Sequence, residues 1–421
     1  MDYVIIGNSA AAIGSVEGIR QIDREGRITL ISDEPYHTYS RPLISYWLAG
    51  KVTEDKMTYR DKNFYEVNNI TPILGVKAEA LDLKGKTVKL ASGEAVPYDK
   101  LMIATGGKPV IPPMEGLDKK GIFSFLKYDD VREIKEAVSG GKKKAVIIGA
   151  GLIGTKAAEA LVKLGLDLTV VELAGRVLPA ILDHRAASIV QGYMENMGIK
   201  FELNSTVAKV LGDSEVTGVV LNNGKEISCD MLVIAIGVRP NTDLVTDTGI
   251  LVNRGIVVND KIETNVSDVY AAGDVSEGYA LIWDSVMVLP LLPNAYLQGE
   301  TAGRNMAGEE TVFPGGLVMN AIGFGDLPMV TAGIVNPDSG EYEVLSNADS
   351  ENCSYRKVVL RNNCIIGFIL LNKIDRAGIL TGLMKEKADV SAYKDRLLCS
   401  DFGYIDFPEE VRKSKLGRGA A

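Results

Sequence analysis

Residues 145–172 read AVIIGAGLIGTKAAEALVKLGLDLTVVE. The apolar run from Ala145 to Ile148 is the pattern of a buried parallel strand, and Gly149-Ala150-Gly151-Leu152-Ile153-Gly154 turns it directly into a helix. In such a turn Gly149 allows the tight bend, Gly151 lets backbone approach a pyrophosphate, and Gly154 lets helix and strand pack closely. Free N–H groups at the positive end of the helix then face the phosphates. A second apolar strand, Leu168 to Val171, ends in Glu172. A carboxylate there accepts hydrogen bonds from both hydroxyls of an adenosine ribose and repels a 2′-phosphate, so the pattern favours NAD over NADP.

The same unit occurs near the start of the chain. Tyr3 to Ile6 reads as a strand, Gly7-Asn8-Ser9-Ala10-Ala11-Ala12 as the turn, with a helix to about Ile22 and a strand from Arg27 to Ile31. Ser9 and Ala12 stand where the second and third glycines would be, and the acidic pair Asp33-Glu34 follows at ribose distance. Two such units give an α/β chain with two Rossmann-like domains. Arg41, a fork-shaped cation, and Pro42, which stiffens its loop, suit a pyrophosphate. Asp55 to Tyr65 is expected to be an exposed helix of mixed charge, and Ile73–Leu81 and Thr87–Leu90 to be strands. Leu101 to Gly107 and Leu232 to Gly237 are buried strands ending in small residues, and Asp274 closes Val269-Tyr270-Ala271-Ala272-Gly273, placed to hold a polyol hydroxyl. From Phe313 the pattern changes to four strands and a helix, about Arg376 to Lys387, a small α+β domain whose last segment, Arg412 to Arg418, should fray.

Composition narrows the function. With 421 residues, 46% hydrophobic, the chain can build two or three cores, and a net charge of −9 argues against a nucleic-acid surface. No apolar run spans a bilayer, and four scattered cysteines suit reduced thiols in a cytoplasmic protein. Two histidines and no ligand-spaced cluster leave no expected metal site.

In order, GNSAAA, YSRPLIS, IATGG, GAGLIG followed by VE, AIGVRPN and VYAAGD resemble the FAD-dependent pyridine-nucleotide oxidoreductases with two dinucleotide-binding domains, and within them the NADH:rubredoxin reductases. The resemblance implies a glutathione-reductase-like fold: an FAD domain from 1–111 and 240–312, an NAD domain over 112–239, and a C-terminal interface domain over 313–421. It places Gly7, Ser9 and Ala10 at the FAD pyrophosphate, with Glu34 at the adenosine ribose and Arg41 and Pro42 by the phosphates and flavin side. Lys77 or Ala78 would meet adenine, Ala104, Thr105 and Gly106 would line the cofactor, and Gly273 and Asp274 would hold the ribityl chain. Gly149, Gly151, Leu152, Ile153, Gly154, Glu172 and Gly237 would surround NADH.

Two departures shape the expected chemistry. The loop from Ser40 to Ser45 has no cysteine, where disulfide- and peroxide-reducing relatives carry one, so flavin would be the only redox centre. Electrons from NADH would then pass to a small carrier: a rubredoxin, a ferredoxin or an iron–sulfur subunit. At Lys156 relatives often have glutamate; here the lysine either stabilises reduced flavin as a catalytic cation or faces solvent on its helix. A homodimer, a place in a larger anaerobic dehydrogenase complex, a peroxide-forming NADH oxidase and an NADH-responsive binding protein stay open.

Overall fold

Short apolar strands, each ending in glycine, alanine or an acid, set the architecture of the first unit. In the computed structural model, which describes residues 1–338, 340–349 and 351–417, Asp2–Ile6 lies at the centre of a five-stranded sheet. Arg27–Ser32 and then Ile70–Leu74 lie on one side of it, and Lys100–Ile103 and then Val269–Ala271 on the other, all parallel. Parallel strands end together, so residues 7, 33, 104 and 272 all follow the same edge of the sheet. Val4, Ile6, Ile31, Leu101, Ile103 and Val269 pack below that edge on Val88, Leu90, Val245 and Ile256.

Two helices cover this sheet, and glycine decides how closely they cross. Cβ atoms built on Gly14 and Gly18 of Ala10–Ile22 would strike the carbonyls of Tyr296 and Glu300, and those on Gly299 and Gly303 of Leu292–Met306 would strike the carbonyls of Ala11 and Ser15. The helices therefore meet backbone to backbone.

The chain divides into two units, Met1–Pro113 with Gly121–Lys142 and Val233–Leu317, and Met114–Lys120 with Lys143–Leu232 and Val318–Ala421. This grouping differs from the expected domain limits for residues 121–142 and for the C-terminal segment, while Ile122–Ser124 shares a sheet with Met231–Ile234 and Lys144–Ile148 as expected of residues 112–239. Residues 121–142 pack with the first unit because the Tyr128 ring stacks on Trp47, with centroids 4.5 Å apart, and lies 4.1 Å from Tyr36. The C-terminal segment has its own sheet but groups with residues 143–232.

In the second unit Lys144–Ile148 pairs in parallel with Asp167–Val171, which pairs with Ile199–Glu202. The C-terminal sheet is antiparallel, in the order Met319–Phe324, Leu327–Gly333, Cys364–Leu371, Ser354–Arg361, Glu343–Asp349. Helix Ala377–Lys385 packs on it through Leu380, Leu383 and Met384. Asp183 ties this sheet to the rest of the unit: it caps helix His184–Asn196 at Ala186 N–H (2.9 Å) and accepts from Tyr355 Oη (2.8 Å) and Lys357 Nζ (2.9 Å).

Local expectations fail where polar partners outweigh pattern. Residues 55–65 form no continuous helix, only a turn at Glu54–Lys56 and a short helix at Phe64–Val67. Arg60 lies between them, drawn onto Glu17 at 2.7 and 3.0 Å instead of out to solvent. The run from Ile73 to Leu81 breaks at Gly75 (φ +74°) into strands of two sheets, Ile70–Leu74 and Ala78–Asp82. The expected fraying from Arg412 meets a helix, Glu409–Gly417, and its last expected residue, Arg418, lies outside the described residues.

Candidate functional site

The first candidate site lies along the carboxyl edge of the first unit's sheet, the edge at which parallel sheets bind nucleotides. Gly7, at φ +129°, donates to Ile31 O (2.8 Å), and Ala104 N–H donates to Ile6 O (2.7 Å). A Cβ on Gly7 would collide with the Ala104 carbonyl, so backbone from two strands meets at one point. Ser9 precedes helix Ala10–Ile22, and its side chain makes no capping bond, which leaves the first-turn N–H groups facing the edge. Asn8 is fixed by donating to Tyr36 O (3.0 Å) and accepting from Tyr65 Oη (2.9 Å).

The two acids after the second strand differ. Glu34 is buried and both its oxygens are taken, by Arg41 Nη2 at 2.6 Å and Tyr39 Oη at 2.7 Å, while Arg41 Nη1 reaches Leu126 O at 3.2 Å. Burial drives the Tyr39 phenol far above its ordinary value, which keeps it a donor to Glu34. Asp33 is exposed and pairs with Lys127 at 2.8 Å. Pro42 follows Arg41 in a single helical turn, Arg41–Leu43.

Asp274 follows Gly273, which sits at φ +83° with its N–H held by Gln298 Oε1 at 2.8 Å. Burial pushes the Asp274 carboxyl above the usual carboxylate range, Arg41 pulls it down, and no hydrogen bond to it is seen among the described residues. A half-buried carboxyl without a donor suits a hydroxyl-bearing ligand. Thr105 Oγ1 donates to Asn241 O (2.8 Å), whose N–H returns to Gly106 O (2.8 Å), so 104–106 are fixed from behind. Lys77 O accepts Ala91 N–H at 2.8 Å, and Ala78 begins a strand of a separate three-stranded antiparallel sheet.

The second site is the turn of residues 149–154. Gly149 (φ +104°) donates to Val171 O, and helix Leu152–Lys163 starts at Gly151, above which a Cβ would find open space. Ile153 and Gly154 lie in its first turn, no side chain caps it, and Thr155 Oγ1 donates back to Gly151 O at 2.8 Å. Glu172 takes Ala150 N–H on Oε2 (2.6 Å) and Ala174 N–H on Oε1 (2.8 Å), so the acid expected at the ribose also shapes the glycine turn. Gly237 (φ +119°) precedes Val238–Pro240 and accepts Val110 N–H at 3.0 Å.

Lys156 does not face solvent. Its ammonium pairs with Glu159 and donates to Gly323 O (3.0 Å) of the C-terminal sheet, and Gly325 N–H reaches Glu159 at 3.3 Å. A side chain 12% exposed beside a glutamate 3% exposed is a buried tie between helix and hairpin. Sequence reading missed this because the acceptor lies 167 positions away.

The other expected centres can be placed as well. The first unit has no cysteine, since all four lie at 229, 353, 364 and 399. Cys229 is buried, and burial pushes its thiol up to about 12. Among the described residues no cluster of histidine, cysteine or acid has metal-binding form, and no helix is long and apolar enough to cross a membrane.

Comparison with known proteins agrees with this geometry. Residues 319–388 match the rubredoxin NAD+ reductase C-terminal domain. The chain is 34% identical over 390 residues to the nitrite reductase [NAD(P)H] of Bacillus subtilis, covering 92% of the chain but only 48% of that protein, so it spans about half the length of that relative. It is 29% identical to the NADH-dependent phenylglyoxylate dehydrogenase subunit epsilon of Aromatoleum evansii, covering 94% of each. The solved NADH:rubredoxin oxidoreductase of Clostridium acetobutylicum aligns with a TM-score of 0.76 at 27% identity, over 93% of this chain and 97% of that one. With residues 1–299 matching it directly, the chain belongs to the pyridine nucleotide-disulphide oxidoreductase family, which uses FAD and NAD(H).

Proposed function

We propose that the protein oxidises NADH through FAD and delivers the electrons to a small iron–sulfur or rubredoxin-type carrier. The supporting observation is a pair of glycine cradles on parallel-sheet edges, with no thiol anywhere in the unit that would hold the flavin. Bound there, flavin supplies the redox chemistry, taking electrons from NADH in pairs and giving them up singly.

In this reading Gly7, Ser9 and Ala10 present N–H groups to the FAD pyrophosphate. Glu34 holds Arg41 through Nη2 and keeps that cation aimed, a positioning role, which leaves exposed Asp33 as the acceptor for the adenosine ribose. Asp274 accepts from a ribityl hydroxyl, and residues 104–106 form a fixed backbone wall. Gly149 to Gly154 receive the NADH pyrophosphate, and Glu172 reads its ribose. No side chain has to move a proton for this reaction, so orientation carries the rate. Lys156 remains the candidate cation: if Lys156→Met barely changes the rate of flavin reduction by NADH, the residue is only the tie to Gly323.

The test is anaerobic: purify the protein, record its visible flavin spectrum, reduce it with NADH and separately with NADPH, then add rubredoxin- or ferredoxin-type carriers. Rapid reoxidation by a carrier is expected. A colourless protein, or a reduced one that no one-electron carrier reoxidises, overturns the reading; fast peroxide formation in air points to an oxidase, and slow turnover with every acceptor to a sensor. A second reading, the NAD-facing subunit of a larger dehydrogenase, draws on the 94% mutual coverage with the A. evansii subunit. Size exclusion of native extract separates the two, and fractionation tests the cytoplasmic location we infer from four unpaired cysteines.

A further inference from the structure

The segment that follows Glu172 holds a backbone conformation its sequence does not favour. Leu178, 1% exposed, sits at φ +49°, and it immediately precedes Pro179, whose ring pushes the residue before it toward extended backbone. A residue in that state persists only where its surroundings over-determine it. Here both of its backbone groups are held: its N–H donates to Ala150 O (2.9 Å), and its carbonyl accepts from Ile181 N–H (3.1 Å) and Leu182 N–H (3.0 Å).

Arg176 grips the same segment. Its Nε donates to Leu182 O (3.2 Å) and its Nη2 to Pro179 O (3.1 Å), while Nη1 lies 3.3 Å from His184 Nε2. The fork is therefore spent on carbonyls of its own loop, and among the described residues no carboxylate is ion-paired with it. Asn336, just beyond strand Leu327–Gly333 of the C-terminal sheet, adds a second donor to Leu182 O at 3.1 Å.

What the segment holds in turn is the glycine turn. Ala150 is fully buried, with its N–H on Glu172 Oε2 and its carbonyl on Leu178 N–H. In a trans peptide the carbonyl and the next N–H point in opposite directions. Fixing Ala150 O on Leu178 thus turns Gly151 N–H the other way, where no acceptor among the described residues takes it and where Gly151 has open space in place of a Cβ.

We propose that residues 176–182 form a clasp that sets NADH affinity by aiming Gly151 N–H at the pyrophosphate, with Arg176 as its positioning residue. The inference rests on the reading of residues 149–154 as the NADH cradle. Arg176 acts through Leu178 and Ala150 and touches no nucleotide itself.

The experiment is calorimetric titration of the full-length, flavin-loaded protein with ADP-ribose, which carries the pyrophosphate and adenosine without the nicotinamide, and with 2′-phospho-ADP-ribose. Only the clasped fraction binds, so Arg176→Met should weaken ADP-ribose at least tenfold, and Arg176→Lys, which still reaches one carbonyl, should recover part of the loss. Hydrogen exchange across residues 176–182, measured without nucleotide, should speed at least tenfold in Arg176→Met. The KM for NADH should rise at least tenfold while kcat falls less than threefold. Asn336→Ala, the milder variant, should weaken ADP-ribose about threefold. A parent protein that binds no ADP-ribose overturns the cradle reading and the clasp together. Binding by the parent that is unchanged in folded Arg176→Met or in Asn336→Ala overturns the clasp alone. So does a loss confined to 2′-phospho-ADP-ribose, which would make Arg176 a direct phosphate contact.

Discussion

Replacing Glu172 by glutamine isolates what its charge contributes. The native carboxylate accepts Ala150 N–H at 2.6 Å and Ala174 N–H at 2.8 Å, so each oxygen already serves the turn proposed to cradle the dinucleotide. A glutamine has one oxygen and one NH2, and its NH2 must face one of those backbone donors. A charge-assisted hydrogen bond is worth about 1.5–3 kcal/mol, so kcat/KM for NADH should fall about 10- to 150-fold. NADPH feels the same damage, but it also escapes repulsion between the carboxylate and its 2′-phosphate. At roughly 5 Å and an effective dielectric near 20 that repulsion is about 3 kcal/mol, enough to offset the loss. The NADH preference should therefore shrink by one to two orders of magnitude. Steady-state kcat/KM for both nucleotides, with an artificial one-electron acceptor, measures it. A preference unchanged within threefold, in a variant that melts like the parent, refutes the assignment of Glu172 to nucleotide selection.

Other perturbations test other parts of the architecture. Gly7→Ala puts a methyl against the Ala104 carbonyl at φ +129°, and flavin content read from the visible spectrum should fall at least tenfold. Gly299→Ala drives a methyl into the Ala11 carbonyl; overpacking of about 1–3 kcal/mol should lower the melting temperature by about 3–10 °C in a scan. At Asp183 burial raises the carboxyl, but Ala186 N–H, Lys357 and Tyr355 outweigh it and hold it below its ordinary 3.8. Its stabilisation is thus present above that value and lost as pH falls through the lowered one. The urea midpoint of the parent should exceed that of Asp183→Asn at pH 6, and the gap should begin to narrow only below about pH 4.

The two cradles were legible because their signals are local: an apolar strand, a glycine turn, a helix and an acid within about thirty residues of one another. Strand Cys364–Leu371 was legible for the same reason, being apolar throughout, and Ser354–Arg361 through its Val358–Leu360 core. Glu343–Asp349 was not, since a mostly exposed edge strand of mixed polarity carries no period-two signal. The roles of Glu34, Arg60 and Lys156 were hidden because they turn on Arg41, Glu17 and Gly323, partners that charge pattern alone does not select. The placement of residues 121–142 rested on Tyr128 finding Trp47, a meeting of two aromatic rings that no spacing announces.

The glycine crossing of helices Ala10–Ile22 and Leu292–Met306 has a consequence for biosynthesis. Gly7 opens one helix and Gln298, which holds Gly273, lies on the other, so the two ends of the flavin-side edge are joined by segments about 290 positions apart. A ribosome releases the first of these long before the second exists, and the early helix must wait with its glycine face bare. Nascent chains cut short before residue 303 should therefore be clients of chaperones, and cofactor capture should be a late, post-translational event.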